Sequence, residues 1–371
     1  MKKILSILIS AIFFLVISND NVNAQGCVAI KGSGASCMLS HSNNDNKGGW
    51  QFTTGLRYFK SFRHFSGRTE NKERLVQGSE VINHSATIDL SLTRAFNDRW
   101  SLMLDVPVTS NARSSLYEHG LVNGVYVKKE RHSTHSFGLG DVRLAVYRWM
   151  FDPAKNTKGN VQLGLGIKLP TGDYDYKDYW YNVGENGSKE LRTVDQSIQL
   201  GDGGTGFTVE ANTFYNFKSN FGVYENFYYL VNPREQNGVS TARGGIPSIQ
   251  TVQIGSDVMS VPDQYLIRAG VNLDFDRWMF SAGMRDECLP VHDLIGGSQG
   301  FRRPGYIISE EQGVSYSFKK FSAYAYVPVA LVRNRTQSVP DKNKTALTGV
   351  YTQGDAAFAD YVINVGFVIK L

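Results

Sequence analysis

The sequence predicts an all-β fold: a 12-stranded antiparallel transmembrane β-barrel with short periplasmic turns and long extracellular loops. Three observations carry that expectation. From Trp50 onward the chain repeats segments of ten or more residues that alternate apolar and polar, the period of a strand whose two faces meet different surroundings. The connections between these segments alternate strictly between short and long. Aromatic residues bracket every short connection, as in a girdle at a membrane interface.

Composition closes off other classes. The 371 residues are 42% hydrophobic, 20% charged and 12% aromatic, which is too apolar and too aromatic for a disordered chain. Helical periodicity is nowhere sustained, and one apolar run alone approaches the ~20 residues a spanning helix needs. That run, Ile4 to Ser18, follows Lys2 and Lys3 and precedes the small-residue site Val22-Asn23-Ala24, so residues 1–24 read as a secretory signal peptide. Its removal takes away Lys2, Lys3 and Asp20, lowering the net charge from +5 to +4, too weak and dispersed a charge for nucleic acid. Residues 25–48 form a periplasmic N-terminal segment. In it Cys27 and Cys37 enclose a Gly/Ser-rich loop and are expected to form a disulfide, which leaves Cys288 as an unpaired loop thiol.

The barrel occupies residues 49–371. Its predicted strands are 49–62, 81–96, 99–111, 135–150, 160–172, 204–217, 221–232, 263–275, 277–286, 305–318, 320–333 and 356–371. Five short turns and six long loops join them, so both ends of the barrel chain lie on the short-turn side. In the fifth strand Val161, Leu163, Leu165, Ile167 and Leu169 form one aliphatic face against Gln162, Gly164, Gly166 and Lys168. In the last strand Tyr361, Ile363, Val365, Phe367, Ile369 and Leu371 oppose Asn364, Gly366 and Lys370. If the aliphatic face meets lipid, it should carry no charge across its middle, because Lys or Arg there costs ~2–4 kcal/mol. Arg94 and Arg148 share that face but sit beside short turns, where the interface tolerates them.

The same parity lines the lumen with Arg57, Arg143, Lys168, Arg268, Arg285 and Lys370, balanced by Asp89, Asp105, Asp141, Glu210, Asp274 and Glu311. Six charges of each sign argue against a strongly ion-selective pore and leave two uses, a solvated path or a salt-bridge network that fills the barrel. Twelve strands lie between barrels packed with side chains and barrels with an aqueous channel. Gly164, Gly166 and Asn212 give room for Tyr147, Tyr324 and Tyr326 to fold across the lumen. Loop 173–203, rich in Asp and Tyr, is expected to be a folded lid.

Catalytic and metal signals are weak. His64-Phe65-Ser66 has the His and Ser spacing of a twelve-stranded family of outer-membrane phospholipases, but Gly67-Arg68 stands where that family has Asn-Gly. Asn43 to Gly48 resembles a calcium loop with Lys47 at a position that needs an oxygen ligand. No catalytic residue, metal or cofactor is predicted.

Ser136-Phe137-Gly138-Leu139-Gly140-Asp141-Val142-Arg143 and Leu163-Gly164-Leu165-Gly166-Ile167-Lys168-Leu169-Pro170-Thr171-Gly172-Asp173-Tyr174 resemble the strand pair of the outer-membrane family named for the meta-pathway of phenol degradation. The resemblance covers residues 135–175 and implies an outer-membrane transporter of small hydrophobic or aromatic compounds. Placement in the outer membrane, passive transport or binding of such a solute, and assembly by the machinery that reads a C-terminal β-strand signal are therefore expected. The competing expectations are a non-transporting barrel whose outer loops bind a protein or glycan, and a phospholipase-like hydrolase.

Overall fold

The computed structural model describes residues 49–119 and 130–371, with backbone pieces at 121–122 and 125–126. The signal peptide, the Asn43–Gly48 run and the Cys27–Cys37 pair lie outside the described residues. Twelve strands form the wall: β1 (Trp50–Ser66), β2 (Ile82–Ala95), β3 (Trp100–Ser115), β4 (His132–Leu139 and Arg143–Trp149), β5 (Gly159–Lys168), β6 (Gly206–Lys218), β7 (Phe221–Val231), β8 (Gln264–Phe275), β9 (Trp278–Leu289), β10 (Gly305–Ser317), β11 (Phe321–Arg335) and β12 (Ala356–Lys370). Each pairs antiparallel with its neighbours, and β12 pairs with β1 from Gln51↔Lys370 to Phe65↔Ala356. The sheet is closed, which removes the free edges that an open sheet would present.

The short turns are built for tight reversal. Asn97 accepts hydrogen bonds from the backbone N–H of Arg99 and Trp100, and Asp276 adopts φ 53° between β8 and β9. Around them runs the aromatic girdle, with Phe217 stacked on Phe221, Trp278 on Phe280 and Phe318 on Phe321. Above it the usual distribution of residues is inverted. Leu104, Val146, Leu165, Val209, Ile363 and Val365 are exposed on the outer wall, while Thr87, Thr109, Asn111, Asn212, Asn226 and Asn364 are buried within the barrel. A continuous apolar wall of this kind needs lipid rather than water against it, which places the barrel in the outer membrane.

Four expectations require correction. The lipid-facing wall is not free of charge: Glu310 is exposed on it between Met284 and Val329, Asp286 lies between Ile267 and Ile308, and Glu225 between Thr213 and Ala269. Asp286 is the last residue of the predicted ninth strand, whereas β9 runs on to Leu289. The fourth strand is broken at residues 140–142. Cys288, expected in a loop, is a buried residue of β9. Finally, β1 runs on to Ser66, past its predicted end at residue 62, and an extra residue between Ser61 and Arg63 reverses its parity, so that His64 faces inward.

Candidate functional site

The interior is filled from the wall by long side chains. Arg143 of β4 pairs with Glu210 of β6, which also accepts from the Tyr147 hydroxyl at 2.8 Å. Tyr147 lies flat because Gly164 faces it: a Cβ there would stand 2.6 Å from the ring. Across the lumen Arg268 pairs with Glu311, and Arg285 spans Glu287 at 2.8 Å and Glu311 at 3.3 Å. The guanidinium of Arg143 sits 5.6 Å from the Tyr228 ring centre, and that of Arg268 sits 5.0 Å from Tyr326, which stacks on Tyr324. Arg57 of β1 interacts electrostatically with Asp89 and with Glu287 and Arg285 of β9. Because β9 is four strands away around the ring, that interaction crosses the lumen.

Of the residues expected in the lumen, Asp105, Arg143, Lys168, Glu210, Arg268, Arg285 and Glu311 are buried inside, with Arg57, Asp89 and Asp141 partly buried beside them. Asp274 sits near the short-turn end of β8 and Lys370 is exposed at the end of β12, so neither joins the central network. Glu287 and Asp202 belong to it and were missed. The parity of β9 would have found Glu287 had the strand been carried one residue further.

The break in β4 is where the strand-pair motif does its work. Thr171 Oγ1 donates to the Gly140 carbonyl and accepts from Val142 N–H, each at 2.8 Å. Asp141 accepts from Gly172 N–H at 3.0 Å and Asp202 N–H at 3.2 Å, and Lys168 bridges Asp141 (3.2 Å) and Asp202. Gly172 and Gly201 touch back to back, since a Cβ on Gly201 would stand 2.5 Å from Asp141 Oδ1 and 2.6 Å from the Gly172 carbonyl oxygen. This knot turns the long loop 169–205 back into the mouth of the barrel.

There the segment 195–201 forms a strap across the interior. Asn111 and Ser136 donate to the Ile198 carbonyl, and Gln196 donates to the carbonyls of Ser260 and Phe301 at 3.0 Å each. Asp195, 2% exposed, is held by Arg303 at 2.9 and 2.8 Å, by Arg243 at 2.8 Å and more loosely by Arg113 at 3.6 Å. Glu118 shares Arg113 (2.7 Å) and Arg243 (3.0 Å). Burial works against ionisation of both acids, yet Arg113, Arg303 and Arg243 hold the Asp195 carboxyl well below the usual range, and Arg113 and Arg243 bring Glu118 down to about 2. Nearby, burial against Trp180 lowers His119 to about 4.

Strap and wall enclose a cavity of about 100 Å³. Its polar lining includes Asp105, Arg143, Lys168, Gln196, Gln199 and Arg303, and its apolar lining Pro107, Leu230, Met259, Pro262 and Leu289. No group of three or more metal-ligating side chains occurs among the described residues. The His64 imidazole is fully engaged, with Nδ1 2.9 Å from Asp355 and Nε2 accepting from Val81 N–H at 2.9 Å, so neither nitrogen turns to Ser66.

Residues 46–227 match the sequence family described as "Putative MetA-pathway of phenol degradation". Over those residues, just under half of the chain, the sequence is similar to that family. The matched region contains β1 to β6 and both halves of the strand-pair knot. No curated protein matches the sequence. Among solved structures, an outer-membrane channel from Pseudomonas putida F1 is similar at a TM-score of 0.55 with 10% identity, covering 88% of this chain and 96% of that one. The Ralstonia pickettii toluene transporter TbuX is a looser match, with a TM-score of 0.44, 11% identity and coverage of 95% and 99%. The closed twelve-stranded barrel shares its fold with the Pseudomonas putida F1 protein.

Proposed function

We propose that this barrel is a passive outer-membrane conduit that binds a small, partly apolar solute beneath the strap and releases it towards the periplasm. One observation carries the reading: a cavity of about 100 Å³ with mixed polar and apolar walls, lined by Gln196, Ser197 and Gln199 of the strap and by Arg143 of the ion-pair network. A barrel that served only as a platform for its outer loops would have no use for such a chamber. Similarity to a family whose description refers to phenol degradation, and a fold shared with a protein described as an outer-membrane channel, support a one-ring aromatic solute. On this reading the chain is not an enzyme: the engaged His64 supplies no base to Ser66.

The test compares initial uptake of a radiolabelled one-ring aromatic by intact Gram-negative cells with and without the protein, because the lipopolysaccharide leaflet, unlike a phospholipid vesicle, resists such solutes. Faster uptake with low ion conductance in planar bilayers is expected. Equal uptake in both strains would sink the reading. We also assign residues 1–24 to export, Cys27 and Cys37 to a structural disulfide, and β12 to recognition by the assembly machinery. Deleting residues 362–371 should abolish the heat-modifiable, folded band on gels.

A further inference from the structure

We propose that the cavity selects a solute with a hydrogen-bond-donating head on an apolar ring, and that Asp105 is the residue that selects it. This rests on the conduit reading above and names the chemical class of its solute. The argument begins with the charges of the cavity wall. Each lining cation already has a carboxylate: Arg143 has Glu210, Lys168 has Asp141 and Asp202, and Arg303 has Asp195. An anionic head would find no spare cation and would meet Asp105, Asp141 and Asp202.

Asp105 differs from the other lining acids. It is 4% exposed and lines the cavity, and among the described residues its one hydrogen bond comes from Ser91 Oγ at 2.5 Å. A carboxylate offers about four acceptor positions, so acceptor capacity is left over. Arg143 stands directly across from it in the sheet and acts on it electrostatically, while its Nη1 pairs with Glu210 and its guanidinium lies over Tyr228. A buried acceptor with capacity to spare favours an incoming O–H or N–H and penalises an isostere that lacks one.

The rest of the wall suits the body of such a solute. Pro107, two residues along the same face of β3, lies with Leu230, Met259, Pro262 and Leu289 on the apolar side. The volume of about 100 Å³ is on the scale of a single ring, since an apolar protein cavity of about 150 Å³ takes up benzene.

The experiment measures binding of phenol, toluene and benzoate to the full-length protein in detergent micelles by calorimetry, against protein-free micelles. Phenol and toluene differ by one hydroxyl in place of a methyl, and benzoate adds the charge. Phenol should bind roughly 10- to 100-fold more tightly than toluene, and benzoate should not bind. Asp105→Leu should bring phenol and toluene within about twofold of each other, whereas Asp105→Asn, which keeps an acceptor oxygen, should retain part of the preference. If Asp105→Leu fails to give the folded, heat-modifiable band, Asp105→Asn decides the matter. Toluene equal to or tighter than phenol, benzoate tightest, or a preference unmoved by both variants would overturn the assignment while leaving the conduit reading intact. Binding of none of the three would overturn both.

Discussion

Replacing Asp195 with Asn should release the strap that closes the outer mouth. The substitution keeps size and one oxygen but removes the charge that Arg303, Arg243 and Arg113 share. Glu118 still reaches Arg113 and Arg243, whereas Arg303 loses the carboxylate that holds it at 2.8 Å. Breaking a buried ion pair by neutralising one partner costs about 3–5 kcal/mol. Hydrogen bonds from Asn111, Ser136 and Gln196, from Arg113 to Ser197, and from the Leu200 and Gly201 N–H to the Asp173 carbonyl also hold the strap, at about 1 kcal/mol each. The clamp is its strongest single polar attachment. Its loss should raise the frequency of opening by roughly 100- to 5,000-fold, at about 1.36 kcal/mol per tenfold.

Hydrogen exchange reads this directly. Ile198 N–H donates to the Asp195 carbonyl and Ser197 N–H to the Asp195 carboxylate, so both amides should exchange faster in the variant by that factor, while amides of β8 and β9 stay unchanged. Planar-bilayer recordings should show new brief openings. Exchange at Ile198 within threefold of the parent, with no new conductance, would refute the assignment of the clamp. Arg303→Gln should reproduce most of the effect, and the double variant should fall well short of the sum, because the two residues form one interaction.

The remaining predictions concern pH, the knot and the lipid face. His119 is held neutral by burial, with a pKa of about 4 against an ordinary value near 6.5, so its packing contributes fully above pH 6.5 and is lost as pH falls towards 4. In a variant keeping Trp180 as the sole tryptophan, emission should shift to the red over that interval, and His119→Asn should flatten the curve. Asp195 and Glu118 have lowered values and keep their contribution until far more acid conditions, so Ile198 exchange, corrected for intrinsic rate, should not change between pH 7 and 4. Gly201→Ala places a methyl against Asp141 and the Gly172 carbonyl, and should lower the unfolding midpoint in urea with a cost of about 1–3 kcal/mol. Leu165→Arg, on the exposed outer wall, should cost about 2–4 kcal/mol in the same assay if lipid faces it; a cost below 0.5 kcal/mol would show that water does.

The barrel was legible in the sequence because its physics is local and periodic. Lipid on one face and side chains on the other impose a two-residue repeat on every strand, and residues such as Leu163, Leu165 and Ile167 state it without reference to any other segment. The same rule located Arg143, Glu210, Arg268 and Glu311 on the inner wall, since parity alone decides the side. It failed wherever parity was interrupted or a strand was cut short. The bulge of β1 turned His64 inward, and the early end assigned to the ninth strand hid Glu287.

The closure of the mouth obeys no such rule. Asp195 and Arg303 are 108 positions apart in loops with no repeat, and nothing in their neighbourhoods marks them as partners. What did show was the scaffold of that closure, because Gly140-Asp141 and Thr171-Gly172 must fit backbone against backbone, and such contacts tolerate few residue types. The region similar to the family contains the knot that aims the loop inward, while Arg303 and Arg243 of the charged clamp lie beyond it. It follows that relatives sharing the knot should share the inward strap, and that the clamp and the cavity wall are where their solute preferences can diverge.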